Sequence, residues 1–166
     1  MNSQSQKTTV GLSQINNSFS GANYLPYSVG LLQAYVEKYS SCKERFEFLR
    51  PVFKRTSVQE AVKQLVPAEV IGFSLYVWNE QISLEIIRQL KRINPNIYIV
   101  CGGPQVPDRA ELFLRNNPEI DVAVHGEGER TFFKLLEIFP SRETNQISGI
   151  SKINASGVFY SNPKAD

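Results

Sequence analysis

Sulfur is scarce in this chain of 166 residues, with two cysteines and one methionine. Two thiolates, Cys42 and Cys101, are too few to hold an iron–sulfur centre within the chain. Both are read as free, buried thiols in a reducing compartment. Histidine is scarcer still: His125 is alone, which excludes a metal site built from several imidazoles. An excess of one charge is missing too, since 18 Lys and Arg stand against 16 Asp and Glu, a formal net charge of +2. The basic residues form no stripe, which argues against nucleic acid as a partner. No apolar run approaches the ~20 residues that span a bilayer, so no membrane partner is expected. Residues 1–7 are polar and no export h-region follows, so a cytoplasmic protein is expected. Three familiar motifs are absent. There is no G-x-G-x-x-G after the first strand, no G-x-x-x-x-G-K-[ST] and no G-x-S-x-G. A standard dinucleotide site, a P-loop and a hydrolase elbow are thereby excluded.

Periodicity is what the chain does have. Its length suits one domain with a sizeable core. Apolar runs at residues 8–12, 46–53 (in its first half, before Pro51), 70–76, 97–100 and 120–124 read as strands. Between them lie helical patterns. Pro26 opens the first, with Val29, Leu32, Val36 and Tyr39 on one face. Ser57 and Glu60 form a capping box before Ala61, Val62 and Leu65. Asn79 is placed to cap a helix bearing Ile82, Ile86, Leu90 and Ile93. Asp108 starts a short helix with Ala110, Phe113 and Leu114. The last helix buries Phe132, Leu135, Leu136 and Phe139. Near-continuous apolar strands alternating with amphipathic helices predict an α/β fold, a doubly wound, Rossmann-like five-stranded parallel sheet. Weak alternation over residues 147–160, around Asn154 and Gly157, predicts a short C-terminal β-hairpin. The expected division is an α/β domain over 1–140, then a hairpin and linker over 141–166.

In such sheets ligands sit at the carboxyl ends of the strands, near the point where strand order reverses. Loops 16–25, 76–79, 102–107 and 125–129 meet that edge. Gly102, Gly103 and Pro104 allow two readings: a loop that lets a ligand lie on backbone, or a tight strand-to-helix turn. Gly126, Glu127, Gly128 and Glu129 open the last helix, where free N–H groups suit an anion or a carbonyl oxygen. Their two carboxylates favour a polar, amide-bearing ligand over a polyphosphate. Glu129 itself is read as a favourable first-turn charge. His125 is read as a hydrogen-bonded loop residue.

Four segments in order carry a family likeness: Leu25-Pro26-Tyr27-Ser28-Val29-Gly30-Leu31-Leu32, Val70-Ile71-Gly72-Phe73-Ser74, Cys101-Gly102-Gly103-Pro104 and Val124-His125-Gly126-Glu127-Gly128-Glu129. Together they resemble the N-terminal cobalamin-binding domain of cobalamin-dependent radical S-adenosylmethionine enzymes, over residues 8–160. The resemblance implies a corrin over the carboxyl edge, with its nucleotide tail running down against the sheet. It implies that Gly102 and Gly103 make room for that tail, with Pro104, which stiffens the exit of the loop, beside them at the cofactor. Ser74 and Tyr76 would hydrogen-bond the tail or the corrin amides. Gly126, Glu127 and Gly128 would border the ligand, and Tyr24 and Leu25 would border the corrin. Trp78 is read as shielding the sheet edge.

Two departures qualify the likeness. Other cobalamin domains carry Asp-x-His-x-x-Gly after the first strand, whose histidine ligates cobalt. Here that loop runs Gln14-Ile15-Asn16-Asn17-Ser18-Phe19-Ser20-Gly21, so no histidine lower ligand is expected from it. The radical enzymes also carry Cys-x-x-x-Cys-x-x-Cys for a [4Fe–4S] cluster, which this chain lacks. The resemblance therefore implies a module without catalytic residues or metal ligands of its own. It would serve a radical enzyme domain, in cis or in trans, that holds the cluster and S-adenosylmethionine and supports methyl transfer. The alternative is a cofactor-free interaction domain derived from the same fold. A receiver-type domain ranks below both, since Gln14 and Tyr76 stand where it needs acidic residues.

Overall fold

The computed structural model describes residues 7–163. The chain runs through β1 (Thr8–Ser13), the small pair β2 (Ser18–Phe19) and β3 (Ala22–Asn23), α1 (Tyr27–Tyr39), β4 (Phe46–Phe48) and α2 (Val58–Leu65). It continues through β5 (Val70–Ser74), α3 (Glu80–Ile93), β6 (Tyr98–Gly102), α4 (Glu111–Asn116), β7 (Val122–Val124) and α5 (Glu129–Ile138). β8 (Ile150–Ile153) and β9 (Phe159–Asn162) follow.

The main sheet has seven strands in the order β4-β1-β5-β6-β7-β8-β9. The first five in that order are parallel. After β1 the chain steps outward to β4, then returns across β1 to β5. Strand order thus reverses between β1 and β5, the switch point of a doubly wound fold.

Strand alternation divides the core in two. Val10, Leu12, Val70, Tyr98, Val100, Val122 and Val124 face α1 and α5, packing with Val29, Val36, Phe132, Leu135 and Leu136. Ile71, Phe73, Leu75, Ile99, Cys101 and Ala123 face the other way, onto α2, α3 and α4. Both faces of the parallel strands are covered, which is why they read as unbroken apolar runs.

Several details differ from the sequence reading. The sheet has seven strands rather than five, because the hairpin joins it. β8 pairs antiparallel with β7 through Ala123–Ser151 and Val124–Ile150. Ile147 and Ile150 are buried with the α1/α5 face, so leaving the hairpin outside would expose core. Its turn matches expectation, with Gly157 at φ 77° and Asn154 accepting from Val158 N–H at 2.8 Å. Tyr39 and Ile93 are exposed rather than buried. They are the last residues of α1 and α3, and the Tyr39 ring rests on Tyr35 with centroids 4.4 Å apart. The short helix starts at Glu111, three residues after Asp108.

The cysteines also separate: Cys101 is buried and Cys42 is exposed. Burial pushes the Cys101 thiol well above its usual pKa, because a thiolate there would lose its hydration. A thiol reagent is expected to label Cys42 in the native protein and to reach Cys101 only after unfolding. Native labelling of both would contradict this packing.

Candidate functional site

A cavity of about 660 Å³ opens at the carboxyl edge of β5, β6 and β7. Its sides are the first turns of α1 and α5. That volume lies within the range of small-molecule sites. Of the residues expected to bind, Ser74, Tyr76, Gly102, Gly103, Pro104, Gly126, Glu127 and Gly128 all line it. Tyr24 and Leu25 stand exposed on the segment before α1, and neither is among its walls.

The sequence reading omits most of one wall and the floor. Tyr27, Ser28, Leu31 and Leu32 of α1 form that wall, while Gly72, Val100 and Phe132 line the cavity from buried positions. Their signal was present in the alternation. In β5, Gly72 and Ser74 take the same face as Val70, and register pairs them with Val100 and Gly102 of β6. Small residues at 74 and 102 on that sheet face leave a gap that larger ones would fill, while the space beside Gly72 is taken by Leu12 and Phe132.

Three of the glycines that line the cavity do different work. A Cβ on Gly72 would meet Leu12 Cδ2 and Phe132 Cε2, each at 3.0 Å. Phe132 thus occupies that space and closes the bottom. A Cβ on Gly102 would meet nothing nearer than Val124 Cβ at 3.7 Å, which is ordinary contact, so that position faces free space. Gly103 is a different case. Its φ is 98°, and a Cβ would lie 2.6 Å from Leu75 O and 2.8 Å from Leu75 N. The chain's own backbone accounts for this glycine, whether or not a ligand passes. The two readings of the loop are therefore divided between its residues: a turn at Gly103, open space at Gly102.

Polar side chains hold the edge in shape. The Ser28 hydroxyl and the Tyr76 hydroxyl are 2.7 Å apart, joining α1 to the segment after β5. The Tyr76 ring stacks on Trp78, with centroids 4.6 Å apart and planes 14° apart. Asn79 occupies the N-cap position of α3, but its side chain makes no capping bond there. Instead it donates to Ile15 O at 3.0 Å and Ser74 O at 3.1 Å. Its Oδ1 accepts from Tyr76 N–H at 2.9 Å.

The loop after β1 is locked in a similar way. Gln14 Oε1 accepts from Val29 N–H at 3.3 Å, satisfying a free amide in the first turn of α1. Asn16 Nδ2 donates to Tyr24 O and Leu25 O, each at 3.3 Å. His125 lies on the outer side of the β7–α5 segment, its Nε2 2.8 Å from Ser151 Oγ. It is the hydrogen-bonded loop histidine expected from sequence.

The chain has counterparts among known proteins. A family model described as "B12 binding domain" matches residues 3–136. The chain belongs to the B12-binding domain family. TokK of Streptomyces tokunonensis, described as a cobalamin-dependent radical SAM methyltransferase, is 39% identical over 113 residues. That match covers 68% of this chain and 17% of TokK. The solved structure of OxsB, a cobalamin-dependent S-adenosylmethionine radical enzyme with aqua-cobalamin and S-adenosylmethionine bound, superposes with a TM-score of 0.76 at 20% identity. It covers 97% of this chain and 23% of OxsB. The radical S-adenosylmethionine methyltransferase TsrM of Kitasatospora setae, with cobalamin and a [4Fe–4S] cluster bound, gives 0.72 at 20% identity, over 97% of this chain and 30% of TsrM. At such identities the likeness to OxsB and TsrM is one of fold. This B12-binding domain thus spans a minor share of each relative's length.

Proposed function

We propose that this domain binds cobalamin and presents it to a radical S-adenosylmethionine enzyme that transfers a methyl group. The observation that carries the reading is the cavity between α1 and α5 at the carboxyl edge, in a chain of the B12-binding domain family. The residues present fit such a ligand. Gly102 leaves space that its own side chain would have filled. The walls mix apolar surface from Leu31, Leu32 and Val124 with polar groups at Ser28, Ser74, Tyr76 and Glu127. That mixture suits a ligand with an aromatic and ribose tail and peripheral amides. When bound, cobalamin supplies a cobalt centre that accepts and donates a methyl group.

The chain's part is to hold and orient. Ser74 and Tyr76 offer hydroxyls to the tail, and Glu127 accepts from amide or ribose donors. Tyr24 and Leu25, exposed beside the cavity-lining Tyr27, would contact the corrin from the edge. Gln14 and Asn16 are tied into the loop's own hydrogen bonds, so that loop contributes shape and no lower ligand. The cluster and S-adenosylmethionine belong to the enzyme domain, in the same chain or another.

Thermal unfolding with and without hydroxocobalamin tests the reading. A ligand at 100 times its Kd stabilises the folded state by about 2.7 kcal/mol, so a rise of several degrees in Tm is expected. An unchanged Tm at saturating cofactor would favour the cofactor-free interaction domain instead.

A further inference from the structure

We infer that Asn79 is a positioning residue that sets the ligand edge at the switch point; the inference rests on the cobalamin reading only for the ligand it names. Asn79 is buried, with 1% of its surface exposed. A buried primary amide must satisfy its donors and its acceptor or destabilise the fold. Here both donors and the acceptor act on the same small region. Nδ2 donates to Ile15 O, just beyond β1, and to Ser74 O at the end of β5. Oδ1 accepts from Tyr76 N–H. One side chain therefore fixes the exits of the two strands between which the strand order reverses.

The consequence reaches the cavity through residues 74–76. Ser74 and Tyr76 line it, and Leu75 between them is gripped from the other side. Leu75 N–H donates to Gly102 O at 2.7 Å, and Leu75 O accepts from Gln105 N–H at 3.2 Å. The segment is held between the glycine loop and Asn79. Removing the amide releases one side of that grip. The Tyr76 hydroxyl then loses its fixed approach to Ser28, and the ring loses its stack on Trp78. An α3 cap alone would not need this arrangement, because the side chain makes no capping bond.

The test compares Asn79→Ala with Val62→Ala in the full chain. Val62 is buried on the opposite sheet face, in the core of α2 and α3, and its truncation destabilises without touching the edge. Both are measured at a temperature where each is fully folded by far-UV circular dichroism. The first readout needs no ligand: the near-UV signal of the Tyr76–Trp78 pair, from the single tryptophan of the sequence. It should collapse in Asn79→Ala and persist in Val62→Ala. The second is hydroxocobalamin affinity, expected to fall about tenfold or more in Asn79→Ala alone, as for displaced binding groups. A retained aromatic signal in Asn79→Ala, or an equal loss in Val62→Ala, overturns the inference. If the wild-type chain binds no corrin, the cobalamin reading fails, and the aromatic signal decides the role of Asn79 by itself.

Discussion

Gly103→Ala is expected to unfold at a much lower temperature, and in much less urea, than the wild-type chain. The added Cβ would stand 2.6 Å from Leu75 O and 2.8 Å from Leu75 N. Neither atom is free to retreat. Leu75 N–H is bonded to Gly102 O, and Leu75 O to Gln105 N–H. The backbone itself is at φ 98°, which L-residues adopt only at a cost. Strain of that kind costs about 1–3 kcal/mol before the clash is counted. A total loss above about 3 kcal/mol follows, a large part of the ~5–15 kcal/mol that holds a domain folded. Urea denaturation of the variant measures it. A loss below about 1 kcal/mol would show that the loop can move away from Leu75, and the packing described for this turn would be wrong. Because the effect precedes any ligand, substitutions at Gly103 say nothing about cofactor binding.

Gly102→Leu separates binding from folding. Its nearest neighbours, Val124 Cβ at 3.7 Å and Val124 O at 3.8 Å, tolerate a Cβ, and its φ is not positive. The rest of the leucine side chain would project into the cavity between Ser74 and Val124. The variant is expected to keep the far-UV spectrum of the wild type and to lose no more than about 1.5 kcal/mol of stability. Its affinity for hydroxocobalamin should fall by about a hundredfold or more, since the side chain takes up volume the ligand needs. Wild-type affinity in a well-folded Gly102→Leu protein would remove the cavity from the binding site.

The fold was legible because its signals are redundant. Five parallel strands, each read as an apolar run, and helices with clear apolar faces identify a doubly wound sheet even with several boundaries misplaced. The hairpin's attachment was not legible. Ile147 and Ile150 look like ordinary strand residues, and only the open edge of β7 shows what they cover. At the site, the glycines and Ser74 were visible as small residues beside strand ends. The wall from α1 was not: Leu31 and Leu32 belong equally to a core-facing helix, and their place at the cavity depends on the gap left by Gly102 across the sheet. Asn79 shows a different limit. Its place before Glu80 marks a helix start, yet the side chain bonds to Ile15, 64 residues away in sequence. A cap and a long-range tie are the same letter until the fold brings the partners together.

Cobinamide keeps the corrin ring of cobalamin and lacks the nucleotide tail, which makes it the direct probe of the cavity. If the cavity between α1 and α5 takes the tail, much of the binding surface belongs to that tail and little to the ring. The measurement is corrin absorbance retained by the purified chain after desalting, with hydroxocobalamin and cobinamide loaded in parallel at equal concentration. Strong retention of hydroxocobalamin, with cobinamide largely lost, is the predicted result. Equal retention of both would place binding on the exposed edge alone, and loss of both would contradict a cobalamin site in this domain.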